Sequence, residues 1–119
     1  MSIELDSCKR IRCDGSILFT KVVRPSGFWQ RARGLIGRSP PSSDEAWLFE
    51  RCNSIHMFGM HYPIDVVFLD AERRVLKLSE QLPPFGMSAC RKADSVLEIA
   101  SGGVQVKGLR VGQWLEILP

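Results

Sequence analysis

The chain has 119 residues, 45% hydrophobic and 24% charged, with a formal net charge of +3. That length suits one domain over 1–119 with a core of its own, and the composition excludes a disordered or fibrous chain. The charge is too mild to point to nucleic acid by itself, although Lys21 to Arg38 holds five basic residues and no acid.

The four cysteines, Cys8, Cys13, Cys52 and Cys90, form no CxxC pair and no tight zinc spacing. No N-terminal stretch resembles a secretory signal, and no apolar run approaches the ~20 residues of a membrane span. A cytoplasmic chain with reduced thiols is the expectation.

In chain order, residues 3–12 and 16–23 flank Asp14-Gly15, a two-residue hairpin signal. Pro25-Ser26-Gly27 interrupts the strand pattern, and Ser26 is placed to cap a helix. Phe28, Ala32, Leu35 and Ile36 then fall on one helical face. Arg31 and Arg33 point away from that face, and Gly37 is placed to end the helix. Ser39-Pro40-Pro41-Ser42-Ser43-Asp44 is a loop.

Short strands follow at Ala46–Glu50 and Ser54–Phe58, and Ile64–Leu69 reads as central and covered on both faces. Asp70–Arg73 is a turn into a strand at Val75–Ser79, and Leu82-Pro83-Pro84-Phe85-Gly86 is a second rigid loop. Ser95–Ala100 and Trp114–Leu118 are the last strands, with a short helix between Ser101 and Gly108. The pattern predicts a mainly β fold, a sandwich, jelly roll or small barrel with one or two short helices; a double-psi barrel is the alternative.

The chemistry concentrates in Cys52–Asp70, which holds both histidines. His56 and His61 converge only if Gly59 turns the chain, and Cys52, His56, His61 and Asp65 then become a candidate metal set, although the spacing matches no established motif. The plainer reading gives His56 a structural hydrogen bond and leaves His61 in a loop. Asp65 lies amid Ile64, Val66 and Val67, so if buried it must be paired or hydrogen-bonded. An Asp65–His56 pair is a general acid/base unit in enzymes and more often a structural tie. Cys52 with His56 has the composition of a nucleophile pair but no base-orienting residue at a recognised spacing. Met57, Phe58, Met60 and Tyr62 surround Gly59, either as core or as an adaptable binding surface. No phosphate-cradling loop is present, and no cofactor is indicated.

Several ordered motifs, Phe28-Trp29-Gln30-Arg31-Ala32-Arg33-Gly34-Leu35-Ile36-Gly37-Arg38, Cys52 to Met60, Pro63 to Asp70, Val96-Leu97-Glu98-Ile99 and Gly108-Leu109-Arg110-Val111-Gly112, resemble the uncharacterised bacterial and archaeal family called domain of unknown function 192. The resemblance runs from about Ser16 to the C-terminus. It implies a compact, mostly β fold in which a short helix carries the Gly34-Leu35 segment. The strongest matching positions are Gly34, Leu35, Met60, Pro63, Ile64 and Asp65. It implies no reaction, and an accessory link to pilus assembly or secretion only through the gene neighbourhoods of relatives.

The leading expectation is a non-enzymatic β domain that binds a protein partner or small ligand through Trp29, Arg33, His56, Met60 and Asp65. The rival is a metal-dependent or hydrolase-type enzyme using His56 and Asp65, with Cys52. A third is a weak nucleic-acid binder using Arg24, Arg31, Arg33 and Arg38.

Overall fold

The computed structural model describes residues 5–6 and 9–119, with side chains for 9–27 and 31–119. Cys8 and the remaining residues before Lys9 lie outside the described residues, as does the Trp29 side chain.

The elements in order are β1 (Leu5–Asp6), β2 (Arg10–Cys13), β3 (Ser16–Phe19), β4 (Lys21–Val23), α1 (Phe28–Arg33), β5 (Glu45–Glu50), β6 (Ser54–His56), β7 (Ile64–Leu69), β8 (Val75–Leu82), β9 (Met87–Ala89), β10 (Ser95–Ala100), α2 (Gly103–Val106) and β11 (Glu116–Leu118). Asp14 and Gly15 have φ of 51° and 82°, the left-handed pair that a tight hairpin between β2 and β3 requires.

A six-stranded sheet has the order β1-β4-β5-β10-β7-β8. Within it β4 and β5 are parallel and every other pair is antiparallel. A three-stranded sheet, β11-β2-β3, covers one face, and a two-stranded arm, β6-β9, belongs to the other side. The sheets are open and form no closed barrel, which sets aside the barrel and double-psi alternatives while keeping the mainly β class.

The large sheet is covered on both faces. Ile11, Phe19, Leu48, Val67, Leu97 and Val104 pack on the face beneath β2, β3 and α2. Trp47, Phe49, Met57, Met60, Val66 and Phe68 pack on the other. All six residues of β7 are buried, as are the first five of β10. Each buried Val, Leu, Ile or Phe side chain contributes roughly 1.5–3 kcal/mol of transfer free energy.

Several expected boundaries moved for physical reasons. The 16–23 arm divides at Thr20, because the N–H groups of Thr20 and Lys21 both donate to the Asp44 carbonyl and turn β4 into the other sheet. The helix stops at Arg33, three residues earlier than Gly37 suggested, because Gly34 takes φ 51°. β9 follows the second proline loop and was not expected; Trp114 makes an isolated bridge to Arg74, so the last strand begins at Glu116.

Asp65 is fully buried in β7 on the α2 side of the sheet. Its carboxylate accepts the N–H of Gln81 at 2.8 Å and of Val104 at 2.9 Å. Gln81 is available because the β7–β8 register slips between Ile64 and Val66, and Gln81 itself takes φ 51°. One side chain thus joins β7, an irregular position in β8 and α2. Asp65→Asn presents an amide N–H to one of two backbone donors, so a loss of about 2–3 kcal/mol in urea unfolding is expected; a loss below about 1 kcal/mol counts against this tie.

Candidate functional site

A pocket of about 150 Å³ opens on the face opposite Asp65. Its floor is Glu98 of β10, whose cross-strand neighbours are Trp47 and Val66. Phe49 of β5, Met57 and Met60 supply apolar wall. The roof is the end of α1 and the turn after it, from Arg31 to Ile36.

The local backbone explains why these parts meet. A Cβ on Gly34 would lie 3.2 Å from the Phe49 ring, so the turn can approach β5 closely only with glycine there. Leu35 then enters the core at 2% exposure. Gly59 takes φ 82°, and a Cβ there would touch Ile36. That turn buries Met57 and Met60 while Phe58 remains 53% exposed, so the cluster around Gly59 is divided between core and surface.

Glu98 is only 7% exposed, and among the described residues no donor is hydrogen-bonded to its carboxyl, whose oxygens face the pocket. Burial among apolar groups disfavours its charged form and raises its pKa to about 8 from the ordinary 4.5. At neutral pH the pocket floor is therefore mainly a carboxylic acid, able both to donate and to accept a hydrogen bond. The nearby Tyr62 phenol is pushed up by its own burial and secondarily by the Glu98 and Glu45 charges.

The other candidates are distributed as follows. His56 is exposed at the pocket rim, its ring 5.2 Å from that of Phe58. Cys52 also lines the pocket and its Sγ donates to the Ser54 carbonyl at 3.3 Å. Met60 and Arg33 line it as well. Arg31 and Arg33, expected on the outer side of the helix, instead border the pocket. His61 lies in a separate cavity of about 290 Å³ with Arg38 and Tyr62.

Asp65 does not join this site: it lies across the sheet from His56 with both oxygens occupied by backbone N–H groups. A His56–Asp65 acid/base pair is therefore not formed. Among the described residues no three His, Cys, Asp or Glu side chains are close enough to hold a metal ion, so Cys52, His56, His61 and Asp65 do not assemble as a ligand set.

The basic residues are largely engaged with the protein itself. Arg33 Nε donates to the Ile36 carbonyl at 3.0 Å, and Arg38 Nε to that of Gly34 at 3.0 Å. Arg38 also lies 5.3 Å over the Trp47 ring. Arg24 pairs with Glu50, which also accepts from Arg73. Arg73 first, and Arg24 after it, hold the Glu50 carboxyl below its ordinary value against the opposing effect of partial burial.

Glu98 is the site residue that sequence reasoning missed. Its signal was available, an acid inside the apolar strand SVLEIA, the same kind of signal that singled out Asp65.

The family described as DUF192, uncharacterized ACR, matches residues 11–117. The chain belongs to the DUF192 family. No curated protein matches it. Two solved structures share the fold of this DUF192 chain. One is a candidate transcription regulator from Sinorhizobium meliloti 1021, with a TM-score of 0.84, 23% identity, and coverage of 98% of this chain and 96% of that one. The other is a protein of unknown function from Novosphingobium aromaticivorans DSM 12444, with a TM-score of 0.78, 21% identity, and coverage of 96% and 84%.

In this DUF192 domain Glu98 should make stability depend on pH. The folded value of about 8 lies above the unfolded one of 4.5, so between those values the folded chain retains a proton that the unfolded chain has released. Stability is then highest below that window and falls as pH rises through it. Glu98→Gln removes the titration. Denaturant unfolding at pH 5 and pH 8 should show the variant gaining about 2–4 kcal/mol on the wild type across the interval. Parallel pH curves for the two proteins would mean that Glu98 is solvated or paired.

Proposed function

We propose that this DUF192 domain is a non-enzymatic binding module that takes a small organic molecule into the pocket above Glu98. The observation that carries this reading is the Glu98 carboxyl itself, nearly buried, without a hydrogen-bond donor among the described residues and facing the cavity. Among the described residues no fully buried polar side-chain atom lacks a partner, so the Glu98 oxygens reach into the pocket, where a ligand able to hydrogen-bond can meet them. The surrounding Phe49, Met57 and Met60 supply apolar contact, the usual composition of a small-molecule site.

His56, Arg33 and Met60 keep their proposed binding roles at this pocket; Asp65 holds the sheet and α2 together. An accessory place in pilus assembly or secretion, implied by the family's gene neighbourhoods, belongs to the same reading. The regulator description of the Sinorhizobium meliloti protein stays with that protein. Here Arg24 is paired with Glu50 and Arg38 is held on the Gly34 carbonyl and over the Trp47 ring, which disfavours a nucleic-acid surface.

A fragment library screened by methionine-methyl NMR tests the proposal. Fragments should shift the Met57 and Met60 methyl signals, and Glu98→Leu should weaken the polar hits about tenfold. A library that leaves both methyl signals unmoved at millimolar concentration would overturn it.

A further inference from the structure

The charges around the pocket are unevenly arranged. Its closed end is Glu98, protonated at neutral pH, and its rim carries Arg31 and Arg33. Among the described residues no other acid lines it. Arg33 is held at the rim by its Nε bond to the Ile36 carbonyl, which leaves its terminal N–H groups for another acceptor. Arg31 makes one long contact, 3.4 Å, to the Arg51 carbonyl. A cation entering here would pass two guanidinium groups before reaching an acid that is not ionised. An anion meets the opposite order: a planar cationic fork suited to carboxylate, then Phe49, Met57 and Met60, then a hydroxyl donor.

Resting on the small-molecule reading above, we infer that the ligand is a short oxo-carboxylate or a molecule of the same pattern. Its carboxylate binds Arg31 and Arg33, its apolar body lies along Phe49, Met57 and Met60, and its carbonyl oxygen accepts the Glu98 hydroxyl. This assigns Glu98 a role as donor and the two arginines a role in selecting charge.

Levulinate, its methyl ester, the amine with the same carbon chain, and valerate separate these contacts. Each is titrated at about pH 6.5 and low salt, followed by the Met57 and Met60 methyl signals. Levulinate should bind in this pocket, with the ester and the amine about tenfold weaker and valerate weaker by the loss of one hydrogen bond. Arg33→Gln, at an exposed position, should weaken levulinate about tenfold without altering the spectrum of the free protein. Glu98→Gln, which still donates, should retain binding that Glu98→Leu loses. Raising the pH above about 8 should weaken levulinate as the floor ionises. An amine or ester that matches levulinate, or an Arg33→Gln variant that binds it equally well, overturns the anion assignment and leaves the binding pocket standing. The same holds if fragments occupy the pocket and levulinate does not. If neither fragments nor levulinate move the methyl signals, both readings fall.

Discussion

Two neighbouring strands covered on both faces have no solvent side on which to put a polar residue. β7 and β10 are such strands, and each nevertheless carries one acid. Ile99 pairs with Asp65 and Glu98 with Val66, so the two acids are near neighbours that point to opposite faces. The burial cost is the same kind on both sides, and the fold answers it differently. Asp65 receives two backbone N–H groups, one from a register slip in β8 and one from α2. Glu98 receives none among the described residues, and its face opens into a cavity. The first arrangement is closed and mechanical; the second is an unfinished hydrogen bond with room in front of it.

The sequence made much of the first half legible. Asp14-Gly15 announced its hairpin, and the run at Ile64–Leu69 announced a strand covered on both faces, because alternation then disappears, whereas Ser95–Ala100 was legible only as a strand. Gly34 stood out in the sequence only as a position of the family resemblance. Its role, close approach to Phe49 in a left-handed turn, depends on a strand eleven residues or more away and leaves no local trace. β9 was hidden for a similar reason: Met87-Ser88-Ala89 has no pattern of its own and is a strand only because β6 pairs with it.

The site was legible in part. His56, Met60 and Arg33, grouped from the sequence, all line the pocket. Including Asp65 came from its nearness in sequence to the histidines, whereas side-chain alternation along β7 sends it through the sheet. Glu98 carried the same signal as Asp65 but lay far along the chain from any histidine or methionine cluster. What decides between a tie and a site is the supply of donors on each face, and that supply is set by β8, α2 and the roof rather than by the strand itself.

The parallel pairing of β4 with β5 has one further consequence. Parallel neighbours require the intervening chain to travel back along the sheet, and residues 24–44 do so carrying α1 and the Gly34 turn over Glu98. The pocket's ceiling is therefore written in a connecting passage, while its base is written in a central strand. A change of length or charge in that passage can reshape the opening without disturbing a single rung of the sheet. Proteins built on this frame are free to keep the same foundation and diverge in what they admit.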